Sequence, residues 1–220
     1  MELPELRDLL DRLAQARPIF HSEADFQHAL AWQIHLRLPS AAVRLEQHIL
    51  PGLHLDMSFA IAGQLTGVEL KYLVRAFSVT IDGERFDLRS QAAQDIRRYD
   101  VALDLTRLEQ LVEGGAAKSG FLVVLTNDPG YWEESQRSDT VDSAFRLHQG
   151  RRLSGTLAWG PKAGVGTMRK REAALTLTAE YMTEWTDYSS VAQSPGGQFR
   201  YLAIEVRRRP LAQRPITAST

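Results

Sequence analysis

Cysteine is absent from the 220 residues. That excludes disulfides and thiolate metal sites, and it gives secretion no support. Lysine is nearly absent: 22 of the 26 basic residues are arginine, and the four lysines are Lys71, Lys118, Lys162 and Lys170. Against that background a lysine set inside an apolar strand stands out. No apolar run has the length that spans a bilayer, and no internal repeat or linker divides the chain. The opening stretch, Met1 to Asp8, is acidic and carries no signal-peptide core. The expectation is a cytoplasmic protein without a membrane partner. A net charge of −1 does not announce a nucleic-acid binder and does not exclude one, because acids in one place offset basic patches in another.

What is present suits one soluble domain, with 44% hydrophobic and 24% charged residues. Apolar periodicity predicts a helix over 3–16, with Leu6, Leu9, Leu10 and Leu13 on one stripe, ended by Arg17-Pro18. A second helix begins after Ser22, an N-cap residue with Asp25 three positions on, and buries Phe26, Ala29, Leu30 and Ile34. A strand is expected at about 43–49, a turn at Pro51-Gly52, and two strands near 53–59 and 67–72. Residues 75–89 read as a loop turning at Asp82-Gly83. A helical region follows from Ser90 to Gly114-Gly115, kinked near Asp100. The continuous apolar run Gly120 to Thr126 suits a central strand covered on both faces. Beyond it come a short helix over 139–148 and three strands at about 153–159, 173–186 and 199–207. These elements read as a single domain over 1–209, with a core at about 20–127 and a β-rich elaboration at about 150–209. Residues 210–220 read as a flexible tail.

The two strands between 53 and 74 concentrate the chemistry. Alternation puts Glu69 and Lys71 on one face of the second strand and Val68, Leu70 and Tyr72 on the other. On the first, Asp56 stands with Ser58, opposite Leu55, Met57 and Phe59. Pairing through the Ala62–Gly67 connection brings Asp56 near Glu69 and Lys71, so two carboxylates and one amine meet among apolar residues. Asp56 and Glu69 offer hard oxygen ligands suited to Mg²⁺ or Mn²⁺, and the Leu70 carbonyl is a further oxygen. Lys71 could orient or help deprotonate a water and stabilise developing charge. Glu23 heads the buried stripe of the second helix, either as an acid favoured by the helix dipole or as a fourth member of the group. Gln94, near the start of the next helix, could orient the lysine or contact phosphate; for it and Gln91 the alternative is a solvated or capping role at a helix start. Without chemistry, the trio would be an ion-paired face of the sheet.

The order helix, three strands, helix, strand, with Asp56 on the second strand and Glu69-Leu70-Lys71 on the third, resembles the PD-(D/E)XK nuclease superfamily over roughly residues 20–127. Leu55 stands where the name-giving proline would be. The resemblance implies an α/β, restriction-endonuclease-like fold: a mixed central β-sheet flanked by helices, with extra C-terminal β-strands. It implies a metal-dependent nuclease, endonuclease or exonuclease, hydrolysing phosphodiester bonds in nucleic acid, DNA before RNA. The implied cofactor is Mg²⁺ or Mn²⁺. The implied catalytic group is Asp56, Glu69, Lys71, Glu23 and Gln94, with Asp56, Glu69, Leu70 and Glu23 on the metal. Many such nucleases act as homodimers. The alternative is a catalytically silent nucleic-acid- or protein-binding module of the same fold, in a defence or mobile-element system.

Other motifs carry less. His21, His28 and His35 recur every seven residues, about 10 Å along a helix, too far apart to share one metal. The stretch Gly160 to Thr167 lacks a lysine immediately before its threonine and precedes no expected helix, so it is not a phosphate loop. Arg169-Lys170-Arg171 and Arg207-Arg208-Arg209 could meet a phosphate backbone, although such runs are more often solvated strand ends. Tyr131, Trp132 and Trp185 are better suited to packing than to stacking on bases.

Overall fold

A computed structural model describes residues 1–50, 52–91 and 93–208. The expected tail at 210–220 lies outside the described residues, as do Pro51 of the expected turn and Arg209 of the last basic run. Helices α1 (Leu3–Ala16) and α2 (Glu23–Arg37) form where the apolar stripes place them, and Ser22 Oγ accepts the Asp25 N–H at 3.2 Å. Strands β1 (Ala42–Leu50), β2 (Leu53–Ile61) and β3 (Gln64–Leu73) make an antiparallel meander. The remaining elements are β4 (Phe77–Ile81), β5 (Glu84–Leu88), α3 (Gln94–Glu113), β6 (Ser119–Thr126), β7 (Arg152–Leu157), a single turn α4 (Val165–Met168), β8 (Leu175–Met182), β9 (Trp185–Ser190) and β10 (Gln198–Arg207).

Six strands build one mixed sheet in the order β1-β2-β3-β6-β10-β9. Only β3 and β6 run parallel, which requires a crossover, and α3 lies in that crossover. The molecule is therefore α/β, with helices on both faces of the sheet. Phe121, Val123 and Leu125 of β6 pack with α1 and α2, whereas Leu122 and Val124 pack with α3. Strand β10 alternates in the same way, with Tyr201 on the first face and Leu202 and Ile204 on the second. Every residue of β6 is buried, as its unbroken apolar run requires.

Helix α3 lies between the sheet and the separate β7–β8 hairpin, so it is buried almost all round. It can sit close because Gly67 and Gly120 are register partners: a Cβ there would meet Leu111 Cδ2 and Leu108 Cδ2 at 2.9 Å each. Glu109, on its hairpin side, accepts the N–H groups of Thr178 and Ala179 at 2.8 and 2.9 Å and the Tyr181 hydroxyl at 2.9 Å. One buried carboxylate thus adds to the apolar packing of Leu153, Leu157, Leu175 and Leu177 against α3.

Five expectations are corrected. The loop at 75–89 is the β4–β5 hairpin, turning at Asp82-Gly83 as expected, with Phe77, Phe86 and Leu88 packed into the α1–α2 face. Helix α3 starts at Gln94, not Ser90, because Ala93 adopts φ 64° and interrupts helical geometry before it, and the helix continues unbroken through Asp100 to Glu113. The helix at 139–148 is only a 3₁₀ turn over Ser143–Phe145; the tertiary pair of Asp142 with buried Arg98 fixes this stretch instead. The strand at 173–186 is two strands, β8 and β9, and β9 with β10 joins the central sheet. Residues 185–207 are therefore part of the sheet core. Finally, strict alternation fails at Asp56: Leu55 packs with α3, while Met57 and Phe59 pack with α1 and α2.

Candidate active site

The pairing of β2 with β3 ends at Met57 opposite Val68, and the two strands separate beyond it. The N–H groups of Leu70 and Tyr72, which would continue that ladder, need other acceptors. Two carboxylates supply them. Asp56 Oδ2 accepts the Leu70 N–H at 2.7 Å, and Glu23 Oε2, from the first residue of α2, accepts the Tyr72 N–H at 2.8 Å. The divergence of the strands is what collects the acids at this point. A pocket of about 130 Å³ opens in the gap, lined by Glu23, Gln27, Glu46, Asp56 and Leu70 among others.

Glu69 and Lys71 alternate onto the α3 face, as the strand period requires. Lys71 Nζ meets Asp104 Oδ2 of α3 at 2.7 Å, stands 3.7 Å from Asp56 Oδ2, and donates to the Leu70 carbonyl at 3.0 Å. Burial alone would lower the pKa of this ammonium. Asp104 and then Asp56 outweigh burial and raise it above the ordinary lysine value. Lys71 is therefore a fixed cation in this arrangement.

Glu69 is 2% exposed, and its Oε1 has no hydrogen-bond partner. Burial, reinforced by Asp104 and Asp56, pushes its pKa up to about 9, so it is protonated at neutral pH. Burial also raises Glu23; Lys71 and the Tyr72 N–H offset part of that, and the neighbouring Asp56 and Asp104 add to it. Asp104 is raised by burial against the opposing pull of Lys71. The group therefore holds more carboxyls than its one ammonium neutralises. Such a concentration of acid is what a hard divalent cation would relieve.

The structure brings together Glu23, Asp56, Glu69, Leu70 and Lys71. Gln94 is elsewhere: its amide donates to Asp128 Oδ2 at 2.5 Å, and its Oε1 accepts from Arg98 at 3.1 Å. Gln91 is the nearer glutamine, donating to the Tyr72 carbonyl at 3.0 Å. The Leu70 carbonyl, expected on a metal, faces the Lys71 ammonium. Among the described residues, no three acid or histidine side chains are arranged to enclose a metal ion. The donor chemistry nonetheless fits Mg²⁺ or Mn²⁺, with the orphaned buried Oε1 of Glu69 as the observation that favours it.

Three further residues belong to the site. Asp104 is an acid inside Val101-Ala102-Leu103-Asp104-Leu105, and the signal for it is a charge in an apolar stretch that demands a partner. Gln27 donates to Glu46 Oε1 at 2.8 Å and to the Asp56 carbonyl, fixing the turn of β2 where alternation breaks. Glu46, at φ 50°, marks the matching irregularity in β1. A larger cavity of about 420 Å³ opens at the opposite ends of β3 and β6, around Thr66, Lys118 and Arg207. It holds no comparable cluster: its acids Glu2 and Glu205 are both paired with Arg207.

No family model, curated protein or solved structure is significantly similar to this chain. The functional reading therefore stands on the geometry of the site.

Proposed function

We propose that this protein is a metal-dependent nuclease of the PD-(D/E)XK type, hydrolysing phosphodiester bonds in nucleic acid, with DNA as the first substrate to test. The observation that carries the reading is the convergence of Glu23, Asp56, Glu69 and Lys71 where β2 and β3 diverge. The order α2-β1-β2-β3-α3-β6, interrupted by the β4–β5 hairpin before α3, supports a restriction-endonuclease-like fold by analogy of topology. A cytoplasmic location and a homodimer belong to the same proposal, and sedimentation tests the latter.

Asp56, Glu69, Glu23 and the Leu70 carbonyl would hold Mg²⁺ or Mn²⁺. Such an ion supplies charge neutralisation at the phosphate and a more acidic water. The protein's own residues do the rest. Asp104 holds the Lys71 ammonium beside Asp56, ready to donate to a phosphate oxygen or orient a water. Glu23 and Asp56, anchored on the backbone N–H groups of β3, keep their remaining oxygens fixed in the gap. Glu69 must release its proton before it can serve as an anionic ligand, which favours function at neutral to alkaline pH.

The test is cleavage of duplex DNA, single-stranded DNA and RNA with Mg²⁺ or Mn²⁺. Cleavage lost in Asp56→Ala and Lys71→Ala supports the reading; no cleavage of any substrate contradicts it. The second reading is a silent binding module, and the observation favouring it is that Lys71 already occupies the cationic position among the acids. Nucleic-acid binding without Asp56-dependent metal binding would select that reading.

A further inference from the structure

Beyond the end of β6, residues 134–151 enclose a second polar pocket of about 160 Å³. Arg146, Arg151, His148 and Arg137 line it, and the one acid among its lining residues is Glu134, whose side chain is 80% exposed. Three serines, Ser135, Ser138 and Ser143, add hydroxyls. Beneath the pocket, Arg98 of α3 is 3% exposed and holds Asp142 Oδ2 at 2.5 Å; Arg146 Nε shares that same oxygen at 3.4 Å. One carboxylate therefore serves two guanidiniums.

Exposed Glu134 stands 3.9 Å from His148 Nε2, and the other partners of the arginines are neutral. Arg146 donates to Thr140 Oγ1 at 3.0 Å, and Arg151 donates to the Ala144 carbonyl at 3.4 Å. The Nε atoms of Arg146 and Arg151 and the Nδ1 of His148 are buried without a hydrogen-bond partner. Burial, and then repulsion from Arg98, push Arg146 below its ordinary range. Positive charge is concentrated here beyond what the local acids neutralise, and an anion is the missing counterpart.

We propose that this pocket is a binding site for a phosphate group. Guanidinium forks and hydroxyl donors match a tetrahedral oxyanion. The pocket is well below the roughly 300 Å³ at which organic ligand sites begin, which suits a small anion and its waters. Arg98 precedes Asp104 on α3 by six residues, about 9 Å of helix rise, so the pocket and the candidate active site share one rigid element. Filled by a strand phosphate, the pocket would anchor nucleic acid beside that site, an assignment that rests on the proposed function. Filled by a free phosphate compound, it stands independently of it.

The test is calorimetric titration of the full chain with inorganic phosphate in the presence of a chelator, so that neither metal nor cleavage enters. The expected result is saturable binding, weakened about tenfold or more in Arg146→Gln and Arg151→Gln and largely kept in Asp56→Asn. Phosphate should also shift the His148 ring signals in the magnetic resonance spectrum of the parent chain. Competition with labelled duplex then separates the sources. Displacement of duplex that is lost in Arg151→Gln identifies a strand phosphate; phosphate binding that leaves duplex affinity unchanged identifies a free phosphate compound, and either supports the site. The proposal is overturned by absence of saturable binding, or by binding that both glutamine variants retain with native melting. If those variants do not fold, an unshifted His148 at saturating phosphate overturns it.

Discussion

Glu69 is a carboxyl only 2% exposed, and its chemistry makes a signed prediction. Its folded pKa of about 9 exceeds the ordinary 4.5, so the folded state binds the proton more tightly than the unfolded chain does. The stability this contributes is complete below about 4.5 and is lost as pH rises toward 9, at up to about 1.4 kcal/mol per pH unit. In metal-free protein, Glu69→Gln should flatten the fall of Tm between pH 5 and 9; a variant with the parent's slope contradicts the assignment. Asp104 makes the converse case. The Lys71 side chain is 17% exposed, removing Asp104 takes away the closest partner of its ammonium, and Asp104→Ala should lower the unfolding free energy by about 3 kcal/mol, read from urea midpoints. Glu69 and Lys71 were legible because strand alternation carries side chains to a defined face; Asp56 stood out as a charge in an apolar strand, although alternation breaks at it. Asp104 and the fate of Gln94 were not, because a helix residue meets a strand residue only through the tertiary packing of α3.

At the scale of elements, α1, α2, β1, β2, β3 and β6 were legible from apolar period and turn residues, which act locally. The start of α3 was not, because Ala93 takes a left-handed conformation that its side chain disfavours. Ala93→Gly should therefore stabilise the protein by about 1 kcal/mol, measured as a rise in the urea midpoint. The β7–β8 hairpin packs Leu153, Leu157, Leu175 and Leu177 into the α3 cluster and adds the Glu109 contacts to that packing, and nothing in the local sequence ties Glu109 to a residue sixty-nine positions away. Glu109→Ala strands the N–H groups of Thr178 and Ala179, and it should cost about 3 kcal/mol with faster hydrogen exchange at those two amides. Unchanged exchange there would show that the hairpin docks by other means.

Across the whole molecule, the sheet joins distant parts of the chain: β10, near the C-terminal end of the described residues, pairs with β6 and closes the core. Such pairing has no local signal, which is why residues 185–207 read as an elaboration. The parallel β3–β6 pair and its crossover set α3 against the end of β3, and the divergence of β2 from β3 opens the gap that Glu23 and Asp56 fill. Fold and site are one feature: the strands part, and the acids replace the missing ladder. The central claim is that this acid-rich gap holds a divalent cation. Calorimetric titration of the chelator-stripped chain with Mn²⁺ tests it most directly. The account predicts saturable binding that is lost in Asp56→Asn and in Glu69→Gln, both retaining native melting; no binding, or binding indifferent to both substitutions, would contradict it.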